Sequence, residues 1–140
     1  MNKSDLKDKI IKIISNHKTG VLSTVENDKP HSRYMTFYQD GLTLLTPTKA
    51  NTEKIAELEK NPYVSVLIGY ESKGLTDSYV QITGTAKVSD SPSLKQQYWD
   101  DSLQNWFDGP EDPSFVFLQI QPEIIRVLNN EGGSVQELKV

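Results

Sequence analysis

HSRYMTFYQDGLTLLTPTK, residues 31–49, decides the fold. Its first residues alternate. His31, Arg33, Met35 and Phe37 fall on one face of an extended chain, and Ser32, Tyr34, Thr36 and Tyr38 fall on the other, because successive strand side chains point to opposite sides. Asp40-Gly41 is a hairpin-turn signal, and LTLLT (42–46) reads as the returning strand. Strands joined by so tight a turn run antiparallel.

Outward from this hairpin the same pattern continues. Upstream, GVLSTVE (20–26) alternates like a strand and NDKP (27–30) is a turn. The segment SDLKDKIIKIISNHK spaces Leu6, Ile10, Ile13 and Ile14 for one helix face, which predicts a helix over about 4–18 with Ser4 as N-cap and His17 at its C-terminal end. Downstream, NTEKIAELEKN is a short helix burying Ile55 and Leu58 and ended by Pro62. YVSVLIGY is a strand, ESKGLTDS (71–78) a loop, and YVQITGTAKVS a long strand in which Gly84 marks a bulge or a close approach. Ser91 as N-cap with Pro92 at N1 starts a helix running through Trp99 to Trp106, which places the two tryptophans seven apart on one face. DGPEDP, with Asp108, Glu111 and Asp112, is an acidic solvated loop whose spacing matches no calcium loop. SFVFLQIQP and EIIRVLN are the last two strands, and the tail from about 130 to 140 is expected to be loosely held. Six to seven antiparallel strands with about three helices form a mainly β, α+β chain, and so many strands in 140 residues favour a small closed barrel. The length fits one domain, 1–140.

Composition excludes several function classes. A net charge of -4 with intermixed signs disfavours nucleic-acid binding. The absence of cysteine removes disulfides and thiolate metal sites, and with two histidines no metal site is expected. IIKIIS is interrupted by Lys12 and preceded by Asp5 and Asp8, so it is neither a signal peptide nor a membrane span. The expected location is cytoplasmic. No nucleophile elbow, Ser-His-Asp order or paired-carboxylate signature is present.

One stretch carries more donors than a strand-to-helix connection needs. LLTPTKANTEK (44–54) holds Thr46, Thr48, Lys49, Asn51, Thr52 and Lys54. Asn51 or Thr52 can cap the helix that follows. The free N–H groups and partial positive charge of that helix end, with hydroxyls and ammonium groups around it, suit an anion such as phosphate. Simple capping with solvent-facing lysines is the alternative. Arg33 in mid-strand must reach solvent, a carboxylate or a bound anion. His31 reads as a surface residue or a proton shuttle.

Four ordered blocks carry a resemblance: PHSRYMTF, LLTPTKANTEKIAELEKNP, YVQITGTAKVSDSPSLKQQYW and WFDGPEDPSFVFLQIQPEIIRV. Together, over about residues 5–129, they resemble the general stress protein branch of the pyridoxamine-phosphate-oxidase-like family. The resemblance implies an FMN-binding split β-barrel forming a homodimer with flavin sites at the subunit interface. It implies that Arg33, Tyr34, Met35 and Thr36 lie along the isoalloxazine ring and ribityl chain, and that Thr46, Thr48, Lys49, Thr52 and Lys54 hold the phosphate. Trp106 would approach the flavin across the dimer interface. The activity implied is an FMN-dependent oxidoreductase of unassigned substrate, with a non-catalytic flavin buffer or redox sensor as the alternative. True pyridoxamine-phosphate oxidation is disfavoured, because no arginine-rich C-terminal segment is present.

Overall fold

The computed structural model describes residues 2–72, 77–130 and 133–140. Helix α1 (Lys3–Ser15) is followed by β1 (Thr19–Glu26), β2 (Lys29–Thr36), β3 (Tyr38–Asp40), β4 (Thr43–Lys49), α2 (Glu53–Lys60), β5 (Tyr63–Ile68), β6 (Tyr79–Ser89), α3 (Pro92–Gln97), a 3-10 turn (Asp101–Asn105), β7 (Phe115–Leu128) and β8 (Gln136–Lys139). All strand pairs are antiparallel, in the order β2-β1-β5-β6-β7-β4-β3, with β8 also on β7. This is a curled antiparallel sheet, a split barrel. Its lining is one continuous apolar cluster in which Leu22, Val66, Ile82, Leu118, Ile120 and Ile125 are fully buried. Each such side chain contributes about 1.5–3 kcal/mol of burial.

The deciding hairpin holds an interruption that alternation does not reveal. One strand was expected over residues 31–39, but Phe37 divides it. β2 pairs with β1 at one end of the sheet, and β3 pairs with β4 at the other. Phe37 is buried, and its amide donates to the Lys18 carbonyl at 2.6 Å. The chain thus steps from one sheet edge to the opposite one within a single residue, which draws the two ends together.

β7 is the spine. It runs beside β6 from Phe117 to Leu128, while its other edge is shared by β4 and β8. The two last strands expected from the sequence are therefore one. Pro122, which cannot donate to a ladder, sits at a register shift opposite Gly84, with Glu123 as the extra residue. Gly84 is required there, since a Cβ would stand 2.1 Å from the Gln121 carbonyl oxygen.

Other boundaries also moved. Asn2, not Ser4, caps α1 by accepting from the Asp5 amide at 2.8 Å, and the helix ends at Ser15 rather than about 18. His17 follows it, with Nδ1 donating to the Ile13 carbonyl at 2.6 Å. Ser91 and Pro92 open α3 as expected. However, α3 stops at Gln97 and Asp100 caps a separate 3-10 turn, so Trp99 and Trp106 do not share a helix face. Trp99 packs edge-on to Phe115 at 5.6 Å between ring centres, within a second aromatic cluster. The acidic loop is organised rather than simply solvated. The Asp112 carboxylate accepts from the Asp108 and Ser114 amides, both at 2.9 Å. The tail is not loose at its end, because β8 pairs with β7 and Leu138 is buried. The middle of the expected 71–78 loop, 73–76, lies outside the described residues, as do 131–132 of the tail. No described helix is long and apolar enough to cross a membrane.

Candidate functional site

α2 starts where β4 releases the chain. Asn51 adopts a left-handed backbone at φ 62°, turning the strand end into the helix. Thr52 is the N-cap residue, yet its side chain makes no capping bond. Its hydroxyl is buried with no hydrogen-bond partner in the protein. A buried hydroxyl left unmade costs about 1–3 kcal/mol. Two residues on, Lys54 is half-buried. Burial depresses its ammonium below the ordinary lysine range, the nearby Arg33 charge lowers it further, and Glu57 partly offsets both. The helix N-terminus therefore presents a positive end, an unused hydroxyl and a cation short of counter-charge.

These groups line one end of a cleft of about 760 Å³. Tyr34, Met35 and Thr36 of β2 form one wall, Thr48 and Lys49 of β4 another, and residues 102–107 after α3 close the far side. Of the ten residues expected from the sequence, eight line it: Tyr34, Met35, Thr36, Thr48, Lys49, Thr52, Lys54 and Trp106. Trp106 is 66% exposed and stands on the wall of its own chain's cleft.

Arg33 and Thr46 are not among the lining residues. Thr46 is fully buried in β4, with its hydroxyl unpartnered in the protein. Arg33 shares a face of β2 with His31 and Met35, as alternation predicts, and that face is the half-buried one. Of the three destinations open to it, it takes the carboxylate. One guanidinium nitrogen lies 3.4 Å from Glu57 Oε2, and another donates to Thr24 Oγ1 at 2.8 Å. His31 joins the same group, with Nδ1 3.1 Å from Glu57 Oε1, so it is not merely a surface residue.

A model of the family described as pyridoxamine 5'-phosphate oxidase matches residues 6–129. General stress protein 26 of Bacillus subtilis (strain 168) is 49% identical over 129 residues, 92% of each chain. The crystal structure of General Stress Protein 26 from Bacillus anthracis superposes with a TM-score of 0.85 at 38% identity, covering 96% of this chain and 98% of that one. The chain belongs to this family, in its general stress protein 26 branch. Among more distant structures, a heme binding protein from Mycobacterium smegmatis shares the fold at a TM-score of 0.77 and 15% identity, with this chain covering 57% of it.

Sequence reasoning missed Tyr38, Pro47, Ser102, Leu103, Asn105 and Phe107 as cleft residues. Tyr38 had a local signal, since it follows Tyr34 and Thr36 on the outer face of the hairpin. Residues 102–107 had none. Tertiary packing of the 3-10 turn against Phe115 and Phe117 brings them over. Burial raises the Tyr38 hydroxyl above its ordinary value, and the Asp100 carboxylate to which it donates raises it further. Among the described residues, the cleft lining contains no histidine and no carboxylate.

Proposed function

We propose that the cleft binds FMN, with its phosphate on the α2 N-terminus and its ring toward the 102–107 wall. The observation that carries this reading is the pair at the helix start, the unpartnered Thr52 hydroxyl beside the half-buried Lys54 whose ammonium is short of counter-charge. A phosphate supplies an acceptor to the first and an anion to the second. Tyr34, Met35, Thr36 and Trp106 offer the flat apolar and aromatic surface a flavin ring needs. Thr48 and Lys49 flank the phosphate end. Thr46, buried within β4, does not line the cleft, while Arg33 acts through its charge.

When bound, FMN supplies hydride or electron transfer. The chain's own residues bind and orient it and exclude water. With no carboxylate or histidine on the described lining, Tyr34, Tyr38, Lys49 and Lys54 are the groups able to hold a proton there. That scarcity favours a second reading alongside an oxidoreductase of small molecules, namely a flavin carrier or redox sensor without turnover. The chain has two arginines, engaged with Glu57 and Glu137, which leaves none for a substrate phosphate and argues against pyridoxamine-phosphate oxidation. The open rim supports reading the chain as a homodimer. Tyr34 (78%), Leu67 (40%) and Tyr70 (60%) are exposed together along an adjoining cleft of about 560 Å³, and a second copy would bury them.

Flavin titration followed by visible absorption tests the cofactor, and sedimentation tests the dimer. Binding of FMN in preference to riboflavin, lost in Lys54→Ala, is the expected result. Failure of both flavins to bind at excess would end the assignment. Reduction of bound FMN by NADH or NADPH, with reoxidation by an added acceptor, separates the enzyme from the carrier.

A further inference from the structure

Behind the α2 end of the cleft lies a cluster of charged groups that are not part of its lining. Glu57 is 4% exposed and follows Lys54 by three residues, so both fall on one side of α2. Its carboxylate accepts from Thr24 Oγ1 at 2.8 Å and from Arg33 at 3.4 Å, and lies 3.1 Å from His31 Nδ1. Glu26, from β1, places its carboxyl beside the same carboxylate, and Glu53 at the start of α2 adds its charge nearby. Ligand atoms of Glu26, His31 and Glu57 lie within 4.8 Å of one another. That spacing could suit a cation, but the Arg33 guanidinium already stands on Glu57, so the cluster is a counter-ion site rather than a metal site.

Two carboxyl groups this close disfavour each other's ionisation. The hydrogen bond to Glu57 holds the Glu26 carboxyl above the usual range. Burial pushes Glu57 up, but hydrogen bonds from Thr24, Glu26 and His31 and the Arg33 charge outweigh it and leave the group below its ordinary value. As pH falls, Glu26 therefore takes up a proton before Glu57, which keeps the negative charge. Both Arg33 and Glu57 reach Lys54 electrostatically, with opposite signs. An anion held by Lys54 feels the same two charges reversed.

We propose that Glu57 is a positioning residue that anchors Arg33 beneath the cleft and, with the neighbouring Glu26 carboxyl, sets how strongly the α2 N-terminus holds an anion. The inference rests on the flavin reading only for the anion's identity, the FMN phosphate. Neutralising Glu57 leaves the Arg33 charge uncompensated and tightens anion binding. Deprotonating Glu26 adds negative charge and weakens it, so affinity falls as pH rises through the elevated Glu26 range.

The test begins on the flavin-free protein. Lysine side-chain NMR, with Lys54 assigned by loss of its resonance in Lys54→Arg, follows the Lys54 titration in wild type, Glu57→Gln and Glu26→Gln. Glu57→Gln keeps an acceptor for Thr24 and should lower the Lys54 midpoint by roughly half a pH unit or more. An unmoved or raised midpoint overturns the proposal. In flavin titrations, Glu57→Gln should raise the preference for FMN over riboflavin about three- to tenfold, and Glu26→Gln should flatten the pH dependence of that preference relative to wild type. An unchanged preference and an unchanged pH profile overturn it while leaving the flavin reading standing. If neither flavin binds, that reading fails and the Lys54 titration still decides this one. Should Glu57→Gln not fold, the Glu26→Gln comparison carries the decision alone, through the high-pH Lys54 midpoint. Stoichiometric zinc binding lost in Glu26→Gln would replace the proton site by a metal site.

Discussion

The β6–β7 ladder and the rim formed by β2 and the start of α2 are built on opposite terms. Along the ladder, Val80, Ile82, Ile120, Ile125 and Val127 are fully buried, and the one irregularity is filled by Gly84 against Pro122. Around the rim, Tyr34 and Trp106 are largely exposed, Lys54 is desolvated and the Thr52 hydroxyl has no partner in the protein. The ladder spends its interactions inside the chain and holds the fold. The rim withholds its own, and what is withheld there is available to something else. Stability and affinity should therefore separate when the two regions are altered in turn.

The sharpest contrast comes from the ladder. Gly84→Ala drives a methyl group into the Gln121 carbonyl and should cost about 3 kcal/mol or more, or abolish folding, as read by urea denaturation. Lys54→Met is its counterpart at the rim. FMN affinity should fall about ten- to a hundredfold, with no loss of stability in the flavin-free protein. The sign follows from linkage. Lys54 binds its proton less tightly folded than unfolded, so the charged group opposes folding and stability should rise as pH climbs through the depressed value. A large stability loss in Lys54→Met would erase the distinction between the regions.

Thr52→Val refines it. The unpartnered hydroxyl contributes no bond within the protein, so thermal stability should hold or rise slightly, while FMN affinity drops about three- to tenfold. Equal stability loss and unchanged affinity would show that the hydroxyl serves the helix instead. The smallest effect belongs to Asp112, which belongs to the internally satisfied side. Hydrogen bonds from the Asp108 amide and from Ser114 hold its carboxyl below the usual aspartate range. Its contribution is therefore present above that range and lost as pH falls through the depressed value. Asp112→Asn should flatten the acid limb of the melting-temperature profile.

Local signals were legible and long-range ones were not. The alternation of β2 and the capping of α3 by Ser91 depend on neighbouring residues, and the structure agrees with them, whereas Gly84 showed only as a glycine within a strand pattern and its cause, Gln121, lies on β7. The division of the hairpin strand at Phe37 depends on Lys18, and the continuation of β7 through Pro122 depends on its partner Gly84. Neither can be read from a window. Within the site, the TPTKANTEK donors announced themselves through density of polar side chains. Arg33 announced a need for a partner without naming it, because Glu57 lies 24 residues away on another element. The split of the Trp99–Trp106 segment is similar. Asp100 accepts from the Ser102 amide and starts a new turn there, overriding a helical period that looked continuous.

The step at Phe37 has a kinetic consequence. Tyr34, Met35 and Thr36 belong to one sheet edge and Tyr38 to the opposite one, yet all four line the same cleft. The cleft therefore does not exist until both edges have been assembled and brought together, the slowest kind of contact for a chain to make. A ligand seated there can recognise only the finished molecule. It should slow unfolding while leaving the refolding rate unchanged, acting as a latch on a closed barrel rather than as a template for one.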